Sequence, residues 1–210
     1  MTMGRFRAAP RKRHLERIQR VCGYLEKHNA AAIRFWTGLP DHTHRFWHEP
    51  EWTYTVYGDV SEAIPDNMPK PKGKPMLITT FVDANLMHDL TTGRAATGVI
   101  HLANQTPIEW FSKRQSTVET ATYGSEFVAA RQATEQIIDI CYQLRMMGIP
   151  IAGPAILLGD NQCVITSSTL SHSTLNKRHN ALAYHRVRES IAAKILQFYH
   201  IPGIKNPADI

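Results

Sequence analysis

Beyond residue 76 the sequence predicts an α/β domain, a mixed five-stranded sheet flanked by helices. Three observations predict it: short apolar runs of strand length lie between turn signals, one long stretch carries helical periodicity, and the two kinds of segment follow the order βββαβααβ. The first strand, 76–84, is β-branched and aromatic: Met-Leu-Ile-Thr-Thr-Phe-Val-Asp-Ala. Strands over 96–102 and 108–112 follow, joined by a turn at Ala103-Asn-Gln-Thr-Pro107. A helix is predicted over 122–147, because Tyr123, Phe127, Ala130, Ile137, Cys141 and Leu144 form one stripe and Gly148 supplies the stop. Residues 155–158 are too few and too apolar for anything but a buried strand. A helix from near Asn161, another over 175–193 and a strand over 195–200 complete the set.

Ahead of this domain the text changes character. Leu15, Ile18, Val21, Cys22 and Leu25 give an amphipathic helix over 14–29, and 31–36 reads as a strand. Residues 37–60 are rich in Trp, His and Pro without a period. The run Asp66-Asn-Met-Pro-Lys-Pro-Lys-Gly-Lys-Pro75 reads as linker, since its prolines donate no backbone hydrogen bond and its lysines repel. The expected division is therefore an appendage over 1–57, a linker over 58–75 and the α/β domain over 76–210.

The net charge of +6 is unevenly placed. Residues 1–20 hold seven Lys/Arg against Glu16, whereas 76–210 hold eleven against ten Asp/Glu. The basic head can attract a polyanion by counterion release. The domain itself is close to neutral. Cys22, Cys141 and Cys163 lack metal-ligand spacing and exclude a disulfide framework, so all three read as small apolar fillers. No apolar run is long enough for a membrane span, and no secretory leader opens the chain, so an intracellular protein without membrane contact is expected.

Four acids stand out. Asp83 ends the first apolar strand, Glu126 lies in the long helix beside Phe127, Asp160 closes Ala155-Ile-Leu-Leu-Gly-Asp, and Asp209 lies in Asn206-Pro-Ala-Asp. Several of these contexts would otherwise be apolar. Carboxylates drawn from separate elements suit hard divalent cations, and two such ions about 4 Å apart can clamp the attacking and leaving oxygens of a phosphodiester. The pattern suggests a metal-dependent nuclease.

The motifs carry a resemblance as well. Phe81-Val-Asp83, Thr97-Gly-Val-Ile100, Pro107-Ile-Glu-Trp-Phe-Ser-Lys-Arg-Gln115, Ala121-Thr-Tyr-Gly-Ser-Glu126-Phe, Asp160-Asn-Gln162, Lys177-Arg-His179, Tyr184-His-Arg-Val-Arg-Glu189 and Pro207-Ala-Asp209 follow one another in a fixed order. In that order they resemble the ribonuclease H domain of copia-type LTR retrotransposon Pol polyproteins, over essentially all of 76–210. Gly124 and Ser125 stand where that family usually has other residues. Arg13-His-Leu-Glu-Arg-Ile-Gln-Arg-Val-Cys-Gly-Tyr-Leu-Glu-Lys27 resembles the helix that closes the reverse transcriptase part, so 1–57 reads as a remnant of that region.

The resemblance implies a ribonuclease H-like fold and hydrolysis of the RNA strand of RNA/DNA hybrids during reverse transcription. Asp83, Glu126, Asp160 and Asp209 would be both catalytic residues and ligands of two Mg²⁺ ions, with Mn²⁺ a possible substitute. Asn85 and Gln162 would meet the hybrid's minor groove, and Lys113, Arg114 and Gln115 the phosphates of its DNA strand. Partners would be the hybrid and the rest of the polyprotein, reverse transcriptase and integrase, in a cytoplasmic particle with a nuclear step. Outside these roles, His185 reads as a hydrogen-bonded core histidine, Trp110 as core, and His200 as a strand residue near the site that could assist product release. Two other classes stay open: an inactive or domesticated domain that only binds nucleic acid or protein, and another nuclease of the same superfamily such as a resolvase or integrase core.

Overall fold

The computed structural model describes residues 11–41, 45–175 and 178–209. The chain divides into two compact units, Met1–Phe35 and Trp36–Ile210. In the first, helix α1 (Lys12–Lys27) forms where the apolar spacing predicts it, and none of its residues is buried. The expected strand over 31–36 is absent: these residues are exposed and make no ladder, so their β-branched and aromatic side chains have no sheet to pair with.

The second unit contains β1 (Ile78–Asp89), β2 (Arg94–Ala103), β3 (Thr106–Arg114), α2 (Thr122–Met146), β4 (Ala155–Gly159), α3 (Gln162–Thr169), α4 (Ala181–Ala192) and β5 (Leu196–His200). The βββαβααβ order is as expected. The last helix starts later than 175, after a 3-10 turn at Arg178–Asn180. The strands form one sheet in the order β3-β2-β1-β4-β5, antiparallel across β1–β2–β3 and parallel across β1–β4–β5. The sheet is thus mixed and β1 is central.

Alternation along the strands sorts the two faces. Ile78, Val82, Val99, Leu157 and Phe198 join Phe127, Ala130 and Ile137 of α2 and Val187 and Ile191 of α4 in the main core. Ile156, Leu158 and Ile201 form a smaller cluster, with Phe81 and Tyr199 against it. Trp47 packs its ring 5.4 Å from that of Tyr199, so residues ahead of β1 help to cover it. Trp110 was expected in the core but is 58% exposed, because β3 is an edge strand whose alternation places a residue on a face without ensuring that the face is covered.

The described residues of 36–75 fall in the second compact unit, which begins at Trp36 rather than at the expected residue 76. Trp52 and Tyr57 are buried in the main core. Arg188, on α4, is also buried; its guanidinium lies 4.8 Å from the Trp52 ring, 5.3 Å from Tyr57 and 4.9 Å from Tyr184. Glu62 pairs with Arg145 of α2, and Lys72 N donates to Gly148 O at 2.7 Å. The proline-rich run is anchored rather than free, since its backbone finds partners at the end of α2. His185 is exposed, hydrogen-bonded to the Tyr57 hydroxyl, and so is not a core histidine. Of the cysteines, only Cys141 is a buried filler; Cys22 and Cys163 are exposed. Among the described residues no helix is long and apolar enough to cross a membrane.

Candidate metal centre

Three elements bring three acids together. Asp83 lies in central β1, alternating with core-facing Val82 and Ala84, and is only 6% exposed. Asp160 follows the last residue of β4, at the point where Asn161 caps α3 by accepting from Val164 N at 3.2 Å. Glu126 comes from the second turn of α2. Carboxylate oxygens of Asp83, Glu126 and Asp160 all lie within 4.8 Å of one another.

Such an approach is electrostatically unfavourable in the absence of a cation. Burial, then the charges of Asp83 and Asp160, push the Glu126 carboxyl up to about 9; a backbone hydrogen bond from Ala84 opposes them. Among the described residues neither Glu126 nor Asp160 has an ion-pair partner. An all-oxygen, partly desolvated set of this kind fits a hard divalent cation such as Mg²⁺ or Mn²⁺.

Glu119, the other acid near the start of α2, does not join the cluster. It is buried with His179 Nε2 at 3.2 Å. Its carboxylate occupies the space beside Gly124, where a Cβ would come within 2.3 Å of Oε2. That contact explains why glycine departs from the motif there: a side chain would collide with Glu119.

The remaining expected residues are placed as follows. Asn85 is half-buried at the end of the regular part of β1, before a register shift. Gln162 is exposed at the first position of α3 and reaches Thr166 Oγ1 at 3.3 Å. Lys113 is exposed on β3, paired with Thr97, which in turn pairs with Ala84; it stands two strands, roughly 10 Å, from β1. Arg114 is engaged with Asp89 at 2.6 Å. Gln115 departs most from expectation. It is 1% exposed and donates to Thr97 Oγ1 at 3.0 Å and to Ser125 O at 2.8 Å, so its amide nitrogen is spent inside the fold, tying β2 to the residue of α2 that precedes Glu126. A phosphate cannot reach it.

Asp209 is exposed and lies outside the three-carboxylate group. The segment before it is nonetheless tied to the site. Ile201 N donates to Gly159 O at 2.9 Å, His200 Nε2 bonds the Asp160 carbonyl at 3.1 Å, and Asn206 Nδ2 donates to Val82 O at 2.9 Å. A Cβ on Gly203 would lie 3.1 Å from Asp160 Oδ2. Neither Gly203 nor Asn206 was singled out from the sequence, although Asn206 stands in the same short motif as Asp209; an uncharged residue in a loop carries no periodicity to flag it.

No protein-family model matches the chain. Among curated proteins it is 25% identical over 138 residues to the retrovirus-related Pol polyprotein from transposon TNT 1-94 of Nicotiana tabacum, covering 66% of this chain and 10% of that protein. Pol polyprotein from transposon RE2 of Arabidopsis thaliana gives 25% over 140 residues, with the same coverage. The resemblance to retrotransposon Pol polyproteins is borne out. The chain spans about a tenth of the length of these relatives. Among solved structures, LC11 ribonuclease H1 in complex with an RNA/DNA hybrid aligns with TM-score 0.49 at 16% identity, covering 62% of this chain and 88% of that one. Ribonuclease H1 from Halobacterium salinarum aligns with TM-score 0.45 at 16% identity, covering 64% and 91%.

Proposed function

We propose that this chain is a metal-dependent endoribonuclease that cuts the RNA strand of RNA/DNA hybrids, as a part of a retrotransposon Pol polyprotein. The observation that carries the reading is the convergence of Asp83, Glu126 and Asp160 within 4.8 Å. Similarity to Pol polyproteins supports the substrate class. A domain that only bound nucleic acid would gain nothing from carboxylates crowded this way, which repel both one another and phosphate.

Asp83, Glu126 and Asp160 would hold the cations, with Asp209 as a fourth ligand. When bound, Mg²⁺ or Mn²⁺ neutralises charge on the scissile phosphate and acidifies water for in-line attack. The protein's own contribution is placement. Asp83 is fixed by strand pairing on β1, Glu126 by the Gln115 tether on Ser125 O, and Asp160 by the strand-to-helix junction. In the metal-free chain Glu126 retains its proton at pH 7, so cation binding is coupled to proton release. Asn85 and Gln162 flank the acids and are proposed to meet the hybrid, whose 2′-hydroxyls distinguish the RNA strand. Exposed Lys113 is proposed to contact phosphate.

The test is cleavage of end-labelled RNA within an RNA/DNA duplex in Mg²⁺, beside single-stranded RNA, duplex DNA and an EDTA control. Cleavage of the hybrid alone, lost in EDTA, is the expected result. Equal cleavage of single-stranded RNA, or activity that survives EDTA, refutes the proposal.

A further inference from the structure

We propose that Asn206 is the positioning residue that delivers Asp209 to the carboxylate cluster. The inference rests on the metal-site reading above and adds a determinant to it. Pairing between β1 and β4 runs from Thr79–Ile156 to Phe81–Leu158 and stops there. The next carbonyl on β1, that of Val82, is received by Asn206 Nδ2 at 2.9 Å. Asn206 thereby takes over beside β1 one residue past the last β4 partner and one residue before Asp83.

Both ends of the amide are used. While Nδ2 holds Val82 O, Oδ1 accepts from Ala208 N at 3.1 Å, the local turn that asparagine side chains favour. Asn206 O accepts from Asp209 N at 3.2 Å, and Asn206 N donates to Gly203 O at 2.8 Å. Asn206 is 5% exposed and Ala208 2%, so these bonds are shielded from water. A single side chain thus couples the strand that carries Asp83 to the turn that carries Asp209. Asp209 stands three positions past Asn206, a tether of at most about 10 Å, so fixing Asn206 confines Asp209 to the neighbourhood of the cluster. Without that bond the acid would have to be ordered at an entropic cost before it could ligate.

Asparagine suits the post better than its relatives. A donor is needed for Val82 O and an acceptor for Ala208 N, in a fixed fork, which excludes aspartate and leucine alike. Serine can still accept from Ala208 N but is too short to reach Val82 O while doing so.

The experiment uses the full chain carrying Asn206→Ser or Asn206→Ala, each alone and combined with Asp209→Asn, with Asp83→Asn as control. Melting temperature reports folding, calorimetric titration with Mn²⁺ alone reports metal binding, and the Mg²⁺ dependence of hybrid cleavage separates half-saturation from the rate at saturation. Asn206→Ser is expected to weaken Mn²⁺ binding about tenfold and to raise the Mg²⁺ needed for half-maximal cleavage, with most of the rate regained at high Mg²⁺. In the Asp209→Asn background it is expected to change neither, because the residue through which it acts is already silent. Equal weakening in both backgrounds assigns Asn206 to the upkeep of β1 and overturns the inference. Unchanged Mn²⁺ binding in Asn206→Ser beside lost binding in Asp83→Asn overturns the inference and spares the metal site. Unchanged binding in Asp83→Asn overturns both.

Discussion

Arg188 and the Asp83–Glu126–Asp160 cluster are ionisable groups withdrawn from water within one compact unit, and the fold treats them in opposite ways. The two terminal nitrogens of Arg188 find what a guanidinium wants, Ser167 O at 2.6 Å, Leu170 O at 2.7 Å and Ser171 O at 2.8 Å, and the group lies against the rings of Trp52, Tyr57 and Tyr184. Only its Nε has no hydrogen-bond partner among the described residues. The carboxylates face one another, and burial, then the charges of Asp83 and Asp160, push the Glu126 carboxyl up to about 9. A buried charge with its partners supplied holds structure together. One that raises its neighbours' energy persists because something else uses it. The first arrangement is expected to cost stability when broken, the second to cost activity.

The largest effect should fall on the second. Asp83→Asn removes one negative ligand and is expected to lower hybrid cleavage at least about 10³-fold. In EDTA the variant should melt at or above the wild-type temperature, since a source of repulsion is gone. A variant that loses stability together with activity would place Asp83 in the same class as Arg188 and break the contrast. Next comes Arg188→Ala, which leaves three carbonyls and three buried rings without their cation; a loss of about 3–5 kcal/mol is expected from urea unfolding in EDTA. A loss below about 1 kcal/mol would mean that the aromatic cage is incidental.

Much of the second region was legible in the sequence and little of the first. Asp83 and Asp160 each close an apolar run of the sequence, and a carboxylate there is conspicuous against Val, Leu and Ile. Glu126 needs more, because Glu119 lies near the same helix start and Glu135 further along the helix; only Glu126 falls on the ordered motifs, and the structure places Glu119 in a different pocket with His179. Arg188 could not be read. On α4 it looks like any helix-surface charge, and its cage is assembled from Trp52 and Tyr57, in a stretch with no period at all. For the same reason 58–75 looked like linker and the stretch before it like a separate appendage. Their roles depend on long-range partners, which local pattern does not encode. Trp110 and Gln115 miss in opposite senses: alternation along β3 gives Trp110 a side without saying whether that side is covered, and Gln115, placed at phosphate by the resemblance, is buried against Thr97 and Ser125.

The pH dependence sharpens the contrast further. The Glu126 carboxyl titrates near 4.5 when unfolded and at about 9 when folded, so the folded chain holds the extra proton between those values. Its contribution to stability is therefore fully present below pH 4.5 and is lost as pH rises towards 9. Glu126→Gln mimics the protonated form and removes that loss. In EDTA at pH 8 the variant is expected to be more stable than wild type by on the order of 2–3 kcal/mol, and the two should converge near pH 5. Urea unfolding at both pH values checks it, and a difference that grows towards acid pH would reverse the sign of the argument.

The smallest expected effect is at Gly203, where the loop after β5 presses against the cluster. A Cβ there would sit 3.1 Å from Asp160 Oδ2, tighter than ordinary contact, while its backbone φ needs no glycine. Gly203→Ala should therefore fold normally and shift the Asp160 carboxylate by a few tenths of an ångström. Misplacement on that scale at a metal ligand is expected to weaken Mg²⁺ binding several-fold, at the lower edge of the roughly 10- to 100-fold seen for supporting residues. The melting temperature in EDTA should stay within about 2 °C of wild type, since no buried contact is lost. Gly153, which has nothing within 4 Å of its ideal Cβ, is the control: Gly153→Ala should change neither quantity. If Gly203→Ala binds Mg²⁺ as wild type does, the carboxylate has room to swing aside, and the Asp160 junction is supported by the bond from Ile201 N to Gly159 O and by the His200 imidazole on Asp160 O alone.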